Sequence, residues 1–153
     1  MQLKRAGAED AQQLWIMQRT AFSELLIKYQ DYETSPANES EDRVLERLRQ
    51  PFTFFYYIVD GEQTVGAIRI VDRNDGSRKR ISPLFVMPEY RGKGYAQWAM
   101  HEAERLHGDA NWALDTILEE AGNCYLYEKL GYRKTGKTQK ITEKMTLVFY
   151  EKN

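Results

Sequence analysis

Apolar residues at Ala11, Leu14, Trp15, Phe22, Leu25, Leu26 and Tyr29 recur mostly at helical spacing. That spacing marks one buried helix face and predicts a long first helix. Glu9 and Asp10 add negative charge at its start, where the helix dipole favours it. Residues 3–6 are enough for a short strand before it. The pattern breaks over residues 31–38, with Ser35-Pro36 as a turn signal. Asn38 and Glu41 have the spacing of a capping box. Val44, Leu45 and Leu48 then predict a short second helix, ended by Pro51.

The period changes after Pro51. Residues 53–59 are dense in aromatic and β-branched side chains and read as a strand. Asp60-Gly61 turns the chain into residues 64–71, which makes a hairpin. Residues 78–86 predict a third antiparallel strand. Pro83 lies inside it, and proline cannot donate to a ladder, so that strand is either an edge there or bulged. Ala96, Ala99, Ala103 and Leu106, with Met100 beside them, predict a third helix. Its polar face carries Gln97, His101, Glu104 and Arg105, and Gly108 closes it. Residues 112–118 read as a strand reached through that helix by a parallel crossover. Residues 120–130 read as a helix with Gly131 as C-cap. Residues 132–138 and 142–151 predict two closing antiparallel strands. The order β-α-α-β-β-β-α-β-α-β-β implies a mixed α/β (α+β) fold, a mostly antiparallel sheet with helices on its faces.

Composition changes this picture little. A chain of 153 residues holds one domain with a real core, and residues 1–153 read as a single domain. The net charge of −1 argues against a broad nucleic-acid footprint. The single cysteine, Cys124, rules out an internal disulfide and fits a reducing cytoplasm. The first ten residues lack an apolar signal core, and no apolar run reaches the length of a membrane span. His101 and His107 have no partners at metal-ligand spacing, so no metal site is expected and both read as solvent-exposed. Cys124 reads as a packing residue. The basic run Arg78-Lys79-Arg80 could meet a phosphate or nucleic acid, although most such runs are solvated.

The candidate chemistry lies in Arg91-Gly92-Lys93-Gly94-Tyr95-Ala96, between a strand end and a helix start. Small residues at 92, 94 and 96 let a ligand approach the backbone. The first N–H groups of a helix have no intrahelical partner, and Arg91 and Lys93 add positive charge. Together these describe an anion cradle, or else a solvated glycine-rich connection.

Arg-x-x-Gly-x-Ala after Val86-Met87-Pro88-Glu89-Tyr90 resembles the acetyl-CoA pyrophosphate loop of the GNAT family of N-acetyltransferases. Leu126-Tyr127-Glu128-Lys129-Leu130-Gly131-Tyr132 resembles that family's Leu-Tyr-Glu-Lys-Leu-Gly-Phe signature. The element order is similar too, so the resemblance implies a three-layer GNAT-like fold. It implies acetyl-CoA as co-substrate, with its pyrophosphate on Arg91, Gly92, Lys93, Gly94, Tyr95 and Ala96. Its pantetheine would pair with the backbone of Leu84, Phe85 and Val86, past a bulge that Pro83 fits. Tyr127 matches the family tyrosine that donates a proton to the departing thiolate. Many relatives carry asparagine seven residues earlier, where Glu120 stands here; Asn123, one turn before Tyr127, could bond the pantetheine instead.

The resemblance implies transfer of an acetyl group to a primary amine of a small molecule or peptide, by direct attack in a ternary complex. The acceptor would enter past the first helices, near Tyr29, Tyr32 and Glu33. A general base is not evident: Ser82 and Pro83 cannot serve where relatives place a glutamate. Glu33, Asp115, a water chain, or direct entry of an already deprotonated amine are the alternatives. Two other readings stay open, a non-catalytic acyl-CoA-binding regulatory module and a structural domain that binds no nucleotide. The expected location is cytoplasmic, with no nucleic-acid or membrane partner. Such sheets often pair at their ends, which leaves a homodimer open. Neither the acceptor nor the acceptance of acyl chains longer than acetyl follows from the sequence.

Overall fold

The computed structural model describes residues 1–153. Its first part runs β1 (Gln2–Arg5), α1 (Ala11–Tyr29), α2 (Glu41–Leu48), β2 (Thr53–Asp60), β3 (Gln63–Val71) and β4 (Lys79–Val86). It continues through α3 (Tyr95–His107), β5 (Trp112–Ile117), α4 (Ala121–Lys129), β6 (Arg133–Thr142) and β7 (Met145–Lys152). The strands form one seven-stranded sheet in the order β1-β2-β3-β4-β5-β7-β6. Only β4 and β5 run parallel; every other pair is antiparallel.

Strand alternation sends successive side chains of β2 to opposite faces, and both faces are covered. Tyr56 and Ile58 join Ile68 and Ile70 of β3 against Ala99, Met100 and Ala103 of α3 and Cys124 of α4. Phe55, Tyr57 and Val59 join Ala67 and Phe85 against Leu14 and Ala21 of α1 and Val44 of α2. Burial on both sides is why this stretch reads as a continuous apolar run rather than an alternating one.

Several local expectations are corrected. Ser40, not Asn38, caps α2: its hydroxyl accepts from Arg43 N–H at 3.2 Å. The Asn38 amide instead donates to the Tyr32 carbonyl at 2.6 Å. Leu106 is 45% exposed and lies off the buried face of α3. His107 is enclosed, not solvated, with Nδ1 3.0 Å from Asp72 and Nε2 3.0 Å from the Tyr56 hydroxyl. The basic run is taken up internally. Arg78 donates to the carbonyls of Trp112 and Lys152, Lys79 to that of Ala110, and Arg80 to Asp115.

What positions the site is the parting of β4 from β5. They pair only at Lys79↔Trp112 and Arg80↔Ala113. On the other side of β4 the register jumps from Ile70↔Ile81 to Ile68↔Leu84, so Ser82 and Pro83 together face the single residue Arg69. This is the bulge expected at Pro83, and the Ser82–Pro83 peptide is cis. Beyond it β4 stays with β3 and leaves its β5-facing edge open. Gly66 permits that close pairing, since a Cβ there would lie 2.1 Å from the Phe85 carbonyl oxygen.

Candidate active site

Two adjoining cavities occupy the opening between β4 and β5. The first, about 430 Å³, lies between the end of β4, the start of α3, and α1 and α4. The second, about 350 Å³, continues toward the α1–α2 loop, β5 and β7. They share Phe22, Leu25, Leu84, Asn123 and Tyr127.

The glycine turn shapes the first cavity. Gly92 and Gly94 have φ of 79° and 84°, a region that L side chains avoid. Gly94 caps α3, whose first backbone bond runs from Trp98 N–H to the Gly94 carbonyl at 3.0 Å. The N–H groups of residues 92–97 therefore meet no protein acceptor. A row of such donors at a helix N-terminus is suited to a pyrophosphate. Arg91, Gly92, Gly94, Tyr95 and Ala96 all line this cavity. Lys93 does not; its ammonium sits 5.8 Å from the Tyr90 ring centroid. The Arg91 guanidinium is held on the protein, with Nε donating to the Val86 carbonyl at 3.1 Å and Nη2 to the Ala21 carbonyl at 2.6 Å. It fixes the loop against α1. The Tyr95 hydroxyl donates to Asp60 at 2.5 Å and anchors the first turn of α3.

The open edge of β4 supplies the next contacts. Met87 N–H donates to the Val65 carbonyl at 2.8 Å, so it faces β3. Alternation then turns the backbone groups of Val86 and Leu84 toward the opening, and those of Phe85 toward β3. The Phe85 side chain packs in the α1-side core.

Tyr127 stands where the cavities meet. Its ring lies 6.2 Å from those of Tyr132 and Tyr150, and its hydroxyl makes no hydrogen bond within the protein. Burial, with a smaller contribution from the Asp115 carboxylate, pushes its pKa up to about 12. The group is thus a neutral O–H at physiological pH. Asn123, one turn earlier on α4, lines both cavities with it. Glu120, in the place of the family asparagine, lines the first cavity, but its carboxylate faces α1. It accepts from Lys28 at 2.7 Å and from the Tyr29 hydroxyl at 2.5 Å. Burial works against its ionisation, yet those two hydrogen bonds hold its pKa below the ordinary value.

The second cavity is not built from the expected acceptor residues. Tyr29 is buried with its hydroxyl on Glu120, Tyr32 is 61% exposed, and Glu33 is exposed; none lines either cavity. The same loop instead presents Asp31, Thr34, Ser35 and Pro36. Asp31 is 3% exposed, and its carboxylate accepts from the Thr34 N–H at 2.9 Å and from the Thr34 hydroxyl. Asp115 also lines this cavity and is bonded by Arg80 at 2.9 Å. Ile81, Ile117, Met145 and Leu147 make the apolar walls. An Asp-x-x-Thr spacing at 31–34 is the signal by which Asp31 could have been singled out, because that side chain closes a turn on its own backbone. No group of three His, Cys, Asp or Glu side chains is placed to hold a metal ion.

A helix N-terminus with free donors stands beside a strand edge left open by a bulge, an arrangement suited to a ligand with a phosphate group and an extended arm. The chain belongs to the acetyltransferase (GNAT) family, whose model matches residues 16–132. It is an acetyl-CoA-dependent N-acetyltransferase by that membership. Among solved structures the fold is similar to the PaiA N-acetyltransferase of Thermoplasma acidophilum in complex with coenzyme A. The TM-score is 0.77 at 15% identity, covering 99% of this chain and 98% of that one. It is also similar to the spermidine N-acetyltransferase of Vibrio cholerae in complex with CoA and spermine, with TM-score 0.75, 14% identity, and 97% and 92% covered. The ribosomal-protein-S18-alanine N-acetyltransferase of Escherichia coli gives TM-score 0.75 at 13% identity, with 97% and 90% covered. No curated protein matches the sequence. No helix is long and apolar enough to cross a membrane.

Proposed function

We propose that residues 1–153 act as one domain that acetylates a small primary amine by direct attack within a ternary complex, with Tyr127 as the proton donor. The observation that carries this reading is the meeting of two cavities at Tyr127, one bordered by the free N–H groups at the start of α3 and the open edge of β4, the other bearing carboxylates.

Acetyl-CoA supplies an activated thioester. The N–H groups of residues 92–97 hold its pyrophosphate, with Arg91 and Tyr95 fixing the loop that presents them. Leu84 offers its backbone groups and Val86 its N–H to the pantetheine, the Val86 carbonyl being held by Arg91, and Asn123 lines the same space. The amine approaches from the second cavity. Its lone pair forms the new C–N bond as the C–S bond breaks, and the thiolate takes the proton of the Tyr127 hydroxyl. The nitrogen sheds a proton to water in the second cavity, where Asp115 and Asp31 are the carboxylates at hand, and that proton restores the tyrosine. Glu33 lies outside the cavity walls and has no place in this scheme.

Buried Asp31, with no basic partner, favours an acceptor carrying positive charge, and the apolar walls favour an aliphatic stretch. A volume near 350 Å³ suits a small molecule better than a folded protein segment. The spermidine and ribosomal-protein enzymes named above show that similar folds serve acceptors of both sizes.

The test is release of CoA thiol from acetyl-CoA in the presence of a panel of polyamines, amino acids and peptides. Turnover with at least one aliphatic amine is expected. Binding of acetyl-CoA without turnover across the panel would return the non-catalytic module.

A further inference from the structure

Arg69 is 8% exposed and takes part in none of the chain's ion pairs. Its Nη1 donates to the Ser82 carbonyl at 2.9 Å and its Nη2 to Gln50 Oε1 at 3.1 Å, while Nε has no partner. Burial first, then the neighbouring Arg47, lower its pKa to about 10, with Glu39 acting in the opposite sense, so it is still a cation at neutral pH. A buried cation without a counter-charge is costly, and methionine would fill similar space with no such penalty. The location supplies a reason to keep the charge. Arg69 is the one residue of β3 that faces the two-residue bulge. Ser82 and Pro83 line the second cavity, and Leu84, next along, lines both.

We propose that Arg69 is a positioning residue: its grip on the Ser82 carbonyl sets the angle at which β4 parts from β5, and thereby where Leu84 and Val86 offer their backbone to the pantetheine arm. Gln50 completes the grip from the end of α2. Its Oε1 also accepts from the Thr53 hydroxyl at 2.8 Å, so the guanidinium is tethered to the start of β2 as well as to β4. A charge-assisted donor held at two points fixes a carbonyl direction more tightly than packing alone. The inference rests on the acetyl-CoA reading above.

The test compares two ligands by calorimetry on the full chain. Acetyl-CoA carries the pantetheine arm; 3′-phosphoadenosine 5′-diphosphate carries the same nucleotide and pyrophosphate without it. Arg69→Met is expected to weaken acetyl-CoA about five-fold or more while changing the nucleotide by less than about two-fold, the loss of one charged hydrogen bond acting on one part of the ligand. Arg69→Lys, which keeps a donor for the Ser82 carbonyl, is expected to regain part of the difference. Equal weakening of both ligands would show general loosening and overturn the proposal, as would no change in either. If Arg69→Met does not fold, Arg69→Lys and Gln50→Met carry the same comparison, and an unchanged ligand ratio in both overturns it. Wild-type protein that binds neither ligand would defeat the acetyl-CoA reading, and this inference with it.

Discussion

Tyr127 is one tyrosine among ten, and its surroundings separate it from the rest. Tyr29, Tyr57, Tyr95 and Tyr150 each donate to a carboxylate, on Glu120, Asp10, Asp60 and Glu128 respectively. The Tyr127 hydroxyl has no such partner, and the residue lines both cavities. With its pKa raised to about 12 by burial, it keeps its proton at neutral pH and is present as a donor when the thiolate departs. Tyr127→Phe should lower kcat about 100-fold with little change in acetyl-CoA affinity, since the hydroxyl is needed only as the C–S bond breaks. Steady-state kinetics with calorimetry checks both halves, and an unchanged kcat would remove the tyrosine from the chemistry. The sign of the pKa shift adds a second reading: below about pH 10 the group is neutral, so kcat should show no alkaline loss from Tyr127 there. The identity of Tyr127 was legible because it sits in a contiguous motif on one helix. The acceptor side was not, because Asp31 turns inward and Thr34 borders the cavity, while Tyr32 and Glu33 turn out. One loop carries all four, and its direction is set by tertiary packing that no local pattern records.

At the scale of elements, the opening between β4 and β5 depends on two backbone devices, a bulge at Ser82–Pro83 and a glycine at 66. The first was readable as a proline inside a strand. The second was not, since a glycine within an apolar strand carries no sign of what will approach it. Val86 pairs with Gly66, and the Phe85 carbonyl passes where a side chain would stand. Gly66→Ala should therefore push β4 from β3, cost about 2 kcal/mol or more of stability, and weaken acetyl-CoA binding. A denaturant titration gives the first effect; wild-type stability in that variant would mean that the strand pair relaxes freely. The same logic of unseen neighbours explains His107. It lies on a helix end that looked solvated, yet the folded chain places Asp72 and Tyr56 around its ring. Helix periodicity was similarly reliable for Ala99, Met100 and Ala103 and failed at Leu106, in the last turn, where the core has already ended.

Across the whole molecule, the order of elements was legible because each change in hydrophobic period marks a change in what the segment packs against. The sheet order was less so: β7 lies between β5 and β6, a placement that depends on long-range pairing. That arrangement brings α1 and α4, distant in sequence, to opposite sides of one cleft. Arg91 fastens α1 at Ala21, while Lys28 and Tyr29 fasten its far end to Glu120. The cleft is thereby framed before any ligand arrives, and its donors at residues 92–97 already lack protein partners. Binding should need little rearrangement. The most direct measurement is calorimetric titration of acetyl-CoA into the 153-residue chain, paired with the melting temperature at saturation. The account predicts saturable heat at one site per chain and a melting point that rises with ligand concentration. No heat and no shift in melting temperature would contradict it.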